Sequence, residues 1–156
     1  MELSKPLVKN KKFALLLRTL LTNNIPQVDI DSLKKFPPQT IFIDAREENE
    51  YNISTIAGAL KAGFNNFDNS LLTDIAKDSY IVVFCSVGVR SEKICRQLVQ
   101  SGYNKVYNLY GGIFEWVNQG QPVVDEKGEV ADKVHGYSPL WGIWVNRLKK
   151  VYDKNL

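Results

Sequence analysis

Two cysteines stand ten positions apart in a chain of 156 residues, and their surroundings differ. Cys85 closes the apolar run Ile81-Val82-Val83-Phe84 and is followed by Ser86-Val87-Gly88-Val89-Arg90, after which a helical stretch begins near Ser91. A buried strand that ends in a short loop and feeds a helix puts a thiol where backbone N–H groups converge. Such a curled loop is an anion-binding nest, and the helix dipole adds partial positive charge at the same point. A thiolate there is stabilised, and the thiolate is the nucleophilic form of cysteine. Gly88 lets the loop turn with its amides inward, and Arg90 adds a fixed cation at the rim. The constellation suits covalent chemistry on an anionic substrate. The plainer alternative is a buried residue at the end of a strand, since free cysteine is among the most buried types; the glycine, the arginine and the strand–loop–helix context favour the nucleophile. Cys95 lies inside the following helix with Ile94 and Leu98, which is a packing position.

The elements that must hold this loop can be read from periodicity. From about Val28 to Pro122, short apolar runs alternate with helical stretches, which predicts an α/β layer around a mainly parallel sheet. The strand candidates are residues 27–30, 41–44, 59–62, 80–85 and 105–108, giving five strands with helices on both faces. Helices are expected at 32–36, 47–53, 70–77, 91–100 and 113–119. Every position of the run ending at Cys85 is apolar, as in a central strand covered on both sides. Residues 13–24 place Phe13, Leu16, Leu17, Leu20 and Leu21 on one helical stripe that ends before Pro26. After the charged stretch Asp125-Glu126-Lys127-Gly128-Glu129, Ser138 and Pro139 resemble an N-cap with proline at the first helical position. Leu140, Ile143, Trp144, Arg147, Leu148, Val151 and Tyr152 follow at helical spacing, predicting a second amphipathic helix. Three parts result: a helical extension over 1–25, an α/β domain over 26–124, and a loop with an amphipathic helix over 125–156.

Composition excludes several classes of function. With 44% hydrophobic and 24% charged residues the chain is globular rather than disordered. Two cysteines cannot knit a disulfide framework through it. Basic and acidic groups number seven and three in residues 1–40, seven and nine in 41–120, and six and five in 121–156. No concentrated basic face is indicated, so no nucleic-acid partner is expected. Arg18 interrupts the best apolar stretch, Phe13 to Leu21, so stable membrane insertion is not expected either. Lys5, Lys9, Lys11 and Lys12 precede that stretch as in an export signal, but no small-residue cleavage pattern follows. The expectation is a soluble protein in a reducing, cytoplasmic compartment.

The site and its flanks together resemble the rhodanese, or sulfurtransferase, family. Asp44-Ala45-Arg46-Glu47, Glu50-Tyr51 and Ile56-Ala57-Gly58-Ala59 are similar to the family's first box. Cys85-Ser86-Val87-Gly88-Val89-Arg90-Ser91 is similar to its active-site loop, and Gly111-Gly112-Ile113-Phe114-Glu115-Trp116 with Gly120-Gln121-Pro122-Val123 to its closing segment. One departure is Thr55, where many members carry a histidine taken to be structural. The resemblance implies a rhodanese-like fold and a thiosulfate sulfurtransferase-like double displacement. Cys85 takes the outer sulfur of a small anionic donor such as thiosulfate, and the persulfide passes it to a thiol or protein acceptor. The loop residues Ser86, Val87, Gly88, Val89 and Arg90 would hold the persulfide, with Arg90 attracting the donor's oxygens. No metal or organic cofactor is implied.

Phosphatase or arsenate-reductase chemistry is a rival, but those loops carry five residues between cysteine and arginine and this one carries four, a ring better fitted to sulfur. A second rival is a non-catalytic binding or sulfur-carrier module. Asp44, Arg46 and Glu50 read as an ion-paired brace rather than acid/base catalysts. Trp116 is expected to pack on the sheet with a partner for its indole N–H. His135 reads as a surface or interface histidine rather than a base. Two of the three tryptophans fall after residue 140, which suggests packing on the core or the N-terminal helix. The sharper alternative is an interface, as in a homodimer through the terminal helices or a carrier-protein contact.

Overall fold

A strand that is apolar at every position can be stable only if both its faces are covered, and Ile81, Val82, Val83 and Phe84 have no exposed surface. The computed structural model describes residues 2–154. In chain order the elements are α1 (Lys11–Leu20), β1 (Gln27–Val28), α2 (Ile30–Leu33), β2 (Ile41–Asp44), α3 (Glu48–Tyr51), β3 (Leu60–Lys61), a 3-10 turn (Asn69–Leu72), β4 (Tyr80–Phe84), α4 (Val89–Gln100), β5 (Lys105–Leu109), α5 (Gly112–Asn118), β6 (Lys133–His135), α6 (Pro139–Gly142) and β7 (Lys149–Val151). The main sheet has five strands in the order β1-β5-β4-β2-β3, every pair parallel. In register, β4 sets Asp44 of β2 opposite Phe84 and Asn108 of β5 opposite Val83. Cys85 therefore emerges at the carboxyl end of the central strand.

Alternate residues of β4 serve two cores, as the pleat requires. Val82 and Phe84 share one with Phe13 and Leu17 of α1 and with Ile113 and Phe114 of α5. Ile81 and Val83 share the other with Ile94, Cys95 and Leu98 of α4. The expected α/β sheet with helices on both faces is present. Asn10 caps α1 by accepting the N–H groups of Lys12 and Phe13 through its side chain. The helix closes at Leu20 because Leu21 turns extended, although Leu21 remains in the core.

Three expected elements differ. The strand placed over 27–30 stops at Val28, because the Asp29 carboxylate accepts the Ser32 N–H at 2.8 Å and starts α2 early. The helix expected over 70–77 is a single 3-10 turn. The larger correction is at the C-terminus, where the amphipathic helix predicted after Ser138 is only the four-residue α6. The chain then leaves helix, and β7 runs parallel to β6 in a separate two-stranded ribbon with Val134 opposite Lys150. The helical spacing there misleads because its members do not share a buried face: Leu140 and Ile143 are 75% and 62% exposed while Val145 is buried. Gly142 and Asn146 also weaken a helix of that length, which is marginal without a packed stripe. The Tyr152 ring instead covers Gly136, where a Cβ would lie 2.7 Å from the ring. No helix among the described residues is long and apolar enough to cross a membrane.

The extensions are tied to the domain and to each other. Phe13 stacks on Trp144 at 5.3 Å between centroids. Buried Glu92 accepts from the Thr22 N–H, the Thr22 hydroxyl and the Asn23 N–H, and Glu115 accepts from the Lys9 N–H. The N-terminal helix is thereby a layer of the core. Leu17→Ala should lower the unfolding free energy by about 2–5 kcal/mol in urea titrations, whereas Leu15→Ala, 61% exposed, should stay within about 0.5 kcal/mol. Equal effects at the two positions would contradict the docking of α1.

Candidate active site

Chain direction at the end of β4 is set by two glycines. Gly88, at φ 123°, stands at the N-terminus of α4, and a Cβ there would press on Asn108 Nδ2 at 3.3 Å. With the chain so turned, the Gly88 N–H donates to Cys85 Sγ at 3.1 Å and the Ser91 N–H at 3.5 Å. On the opposite side, α5 presents its first amides to the same loop: Ile113 N–H donates to the Cys85 carbonyl at 2.9 Å and Phe114 N–H to the Ser86 carbonyl at 3.1 Å. Gly112 lies between them at φ 60°, and a Cβ on it would sit 2.5 Å from the Cys85 carbonyl oxygen. The first carbonyls of the loop are thus tied to α5, and two of its amides face the sulfur.

The Ser91 hydroxyl lies 3.3 Å from the sulfur and donates to Asn108 Oδ1 at 2.6 Å. Asn108 in turn donates to Gln27 Oε1 and the Gly88 carbonyl, and Gln27 donates to Glu92. This buried series fixes the amide orientation of Asn108 and ties the loop to β1 and β5. Ser91 closes the stretch similar to the family's active-site loop but was given no role of its own, and Asn108 was not singled out, since an asparagine in a strand carries no local signal. Cys95 packs in the core, where burial pushes its thiol well above the ordinary value.

Arg90 does not project into the rim as a free cation. Its two terminal nitrogens meet both oxygens of Glu50 at 2.7 Å each, and one also donates to the Ser86 hydroxyl at 3.0 Å. Burial pulls the guanidinium value down, but the hydrogen bonds to Glu50 and the attraction of its carboxylate outweigh it and the net shift is upward. Burial likewise raises Glu50, yet its bonds to Arg90 and to the Glu47 N–H bring its carboxyl below the ordinary 4.5. The predicted brace of Asp44, Arg46 and Glu50 is therefore divided. Arg46 forks onto Asp44 in full burial and donates to the Ser54 carbonyl, while Glu50 belongs to the loop. The Thr55 hydroxyl donates to Asp44 at 2.6 Å, so this position still supports the brace without a histidine. Trp116 packs edge-on against Phe42 and donates its indole N–H to the Pro122 carbonyl.

Above Cys85 a cavity of about 160 Å³ is lined by Cys85, Ser86, Val87, Val89, Arg90, Tyr137 and Trp141. The structure thus brings five of the six sequence-selected residues to one cavity, with Gly88 beneath it bonding the sulfur. Tyr137 and Trp141 come from the C-terminal extension and were missed; the tryptophan density there was the one available signal. Of the surface or interface position expected for His135, the surface alternative does not hold. The residue is 2% exposed, accepts the Tyr137 N–H at Nδ1 and bonds Asp153 through Nε2.

Known proteins are similar to parts of this chain. Residues 29–119 match the rhodanese-like domain. A sulfurtransferase of Allochromatium vinosum is 32% identical over 107 residues, covering 67% of this chain and 99% of that protein. A tRNA uridine(34) hydroxylase of Pectobacterium carotovorum is 33% identical over 89 residues, 54% of this chain, and the chain spans only 25% of that protein's length. Among solved structures, the rhodanese-like domain of an Anabaena protein superposes with a TM-score of 0.58 at 23% identity, over 64% of this chain and 79% of that one. A thiosulfate sulfurtransferase from Pseudomonas aeruginosa gives 0.59 at 19% identity, over 76% and 23%. These two likenesses are of fold.

Two expectations follow from the geometry. Gly112→Ala should cost about 3 kcal/mol or more from strain and overlap with the loop, read as a lowered urea midpoint; an unchanged midpoint would mean the loop is not clamped by α5. Glu50→Gln should cost roughly 2–4 kcal/mol near neutral pH by leaving Arg90 without its counter-charge. Because the folded carboxyl lies below 4.5, that contribution is complete above this pH and lost as pH falls through the folded value. The stability gap between wild type and Glu50→Gln should therefore narrow only in acid, and a gap independent of pH would contradict the ion pair.

Proposed function

The chain belongs to the rhodanese-like domain family, and from that premise we propose that it is a sulfurtransferase that carries sulfane sulfur as a persulfide on Cys85. The observation that supports this reading best is the pair of N–H groups, from Gly88 and Ser91, directed at a sulfur that forms the floor of an open cavity. Donors aimed at sulfur fix its position and stabilise charge that develops on it during transfer.

In the first half-reaction the Cys85 thiolate attacks the outer sulfur of a donor of the thiosulfate type. A sulfur–sulfur bond forms to Cys85 while the donor's own breaks, and its electron pair leaves with the remaining fragment, sulfite in the case of thiosulfate. In the second, a thiolate or cyanide acceptor takes the outer sulfur and Cys85 departs as thiolate. Both steps balance with donor, nucleophile and acceptor alone. Ser86, Val87, Gly88, Val89 and Arg90 shape the space into which the outer sulfur projects. Arg90, already paired with Glu50, acts by holding the loop and supplying a fixed dipole rather than by capturing the donor's oxygens as an open cation.

Relatives named as a sulfurtransferase and as tRNA uridine hydroxylases both match the domain, so the cysteine's chemistry must be measured on this chain. Intact mass after thiosulfate treatment and removal of excess donor should show one added sulfur atom on the wild type, none on Cys85→Ser, and its loss after cyanide. A wild-type protein left unmodified by thiosulfate, mercaptopyruvate and polysulfide alike would refute the reading and favour a binding module.

A further inference from the structure

The cavity over Cys85 is finished by residues outside the part of the chain that matches the family. The match ends at residue 119, yet Tyr137 and Trp141 form walls of the cavity. Tyr137 is held there deliberately. Its φ of 66° is a conformation that tyrosine adopts rarely. A chain of buried and bridging contacts keeps it so: its N–H donates to His135 Nδ1, His135 Nε2 bonds Asp153, and Asn49 from α3 donates to both oxygens of Asp153. The ring lies over the Arg90 guanidinium, 5.0 Å from its centroid. Strain maintained by a dedicated set of contacts beside a nucleophile points to a role in the site.

The walls also differ from what a small inorganic dianion would need. Val87, Val89, Tyr137 and Trp141 present mainly hydrocarbon. Arg90 is the one cation lining the cavity among the described residues, and its charge is matched by both Glu50 oxygens. A dianion such as thiosulfate would surrender hydration there for little in return. An apolar group would gain from burial against the Tyr137 and Trp141 side chains. Resting on the persulfide reading above, we infer that the preferred sulfur donor is organic, with an apolar and preferably aromatic group next to its sulfane sulfur, and that Tyr137 and Trp141 select it. For a thiosulfonate the step is attack of the Cys85 thiolate on the terminal sulfur. The new S–S bond forms, the donor's S–S bond breaks, and the sulfinate leaves with the electron pair. For an organic persulfide the leaving group is the thiolate.

Benzenethiosulfonate and methanethiosulfonate carry the same reactive group and differ only in the organic part. Their rates of adding one sulfur atom to the protein, each divided by its rate with a free small-molecule thiol, isolate the contribution of the pocket. The wild type should prefer the benzene compound by about tenfold or more, the scale on which an apolar pocket discriminates. Tyr137→Gly, which also relieves the backbone strain, and Trp141→Ala should each bring the ratio close to that of the free thiol, while Trp141→Phe retains most of it. Either truncation that folds is sufficient, and the wild-type ratio is decisive by itself. A wild-type ratio near one, or a preference that survives both truncations, overturns the inference while leaving the persulfide reading intact. Failure of both donors and of thiosulfate to modify Cys85 removes both together.

Discussion

The carbonyl oxygens of Cys85 and Ser86 accept the first amides of α5, and this leaves N–H groups of the same loop to face the sulfur. Each peptide plane is rigid, so holding these two carbonyls fixes the planes up to Val87, and the chain enters the Gly88 turn, whose N–H with that of Ser91 faces the sulfur, in a set direction. Close approach of α5 to the loop depends on Gly112, and the turn into α4 depends on Gly88. The parallel sheet sets the distance between these helices, because β4 and β5 are neighbours and each feeds the helix that follows it. The nest around Cys85 is thus a product of sheet register and two side-chain-free positions.

Charge at the site is organised to hold the loop rather than to present a field. Arg46 with Asp44 braces the end of β2, and Arg90 with Glu50 joins α4 to α3 beside the cavity. Both arginines fork onto a carboxylate, which fixes orientation as well as distance. A guanidinium committed in this way is a poor receptor for a free oxyanion but a firm support for backbone donors that act on charge developing at sulfur.

The terminal segments complete the domain rather than trail from it. Glu92 and Glu115, both buried, are satisfied largely by backbone or side-chain donors that include the N-terminal segment, and Phe13 of that segment stacks on Trp144 of the other end. Removing either segment would uncover apolar surface, and removing the N-terminal one would also take donors from both carboxylates. The β6–β7 ribbon in turn carries Tyr137 to the loop, so a segment outside the family match contributes directly to the cavity.

Local pattern was enough for the sheet and the thiol. The fully apolar run before Cys85, the glycine and arginine after it, and the alternation of strands and helices determined an α/β fold with a cysteine loop at the end of a central strand, because each depends on periodicity or on backbone constraints within a few residues. What the tertiary structure alone decided was pairing. Glu50 is close to Asp44 and Arg46 in the chain but pairs with Arg90, 40 positions away. Residues 140–152 have helical spacing, yet they yield a short turn and a strand, because β6 offers hydrogen bonds and Tyr152 packs where a longer helix could not. Tyr137 and Trp141 meet Cys85 only because the chain returns over the loop after the domain proper has closed. Contacts between residues so far apart in the chain leave no period in the sequence, and the energy that selects them exists only once the core has brought them together.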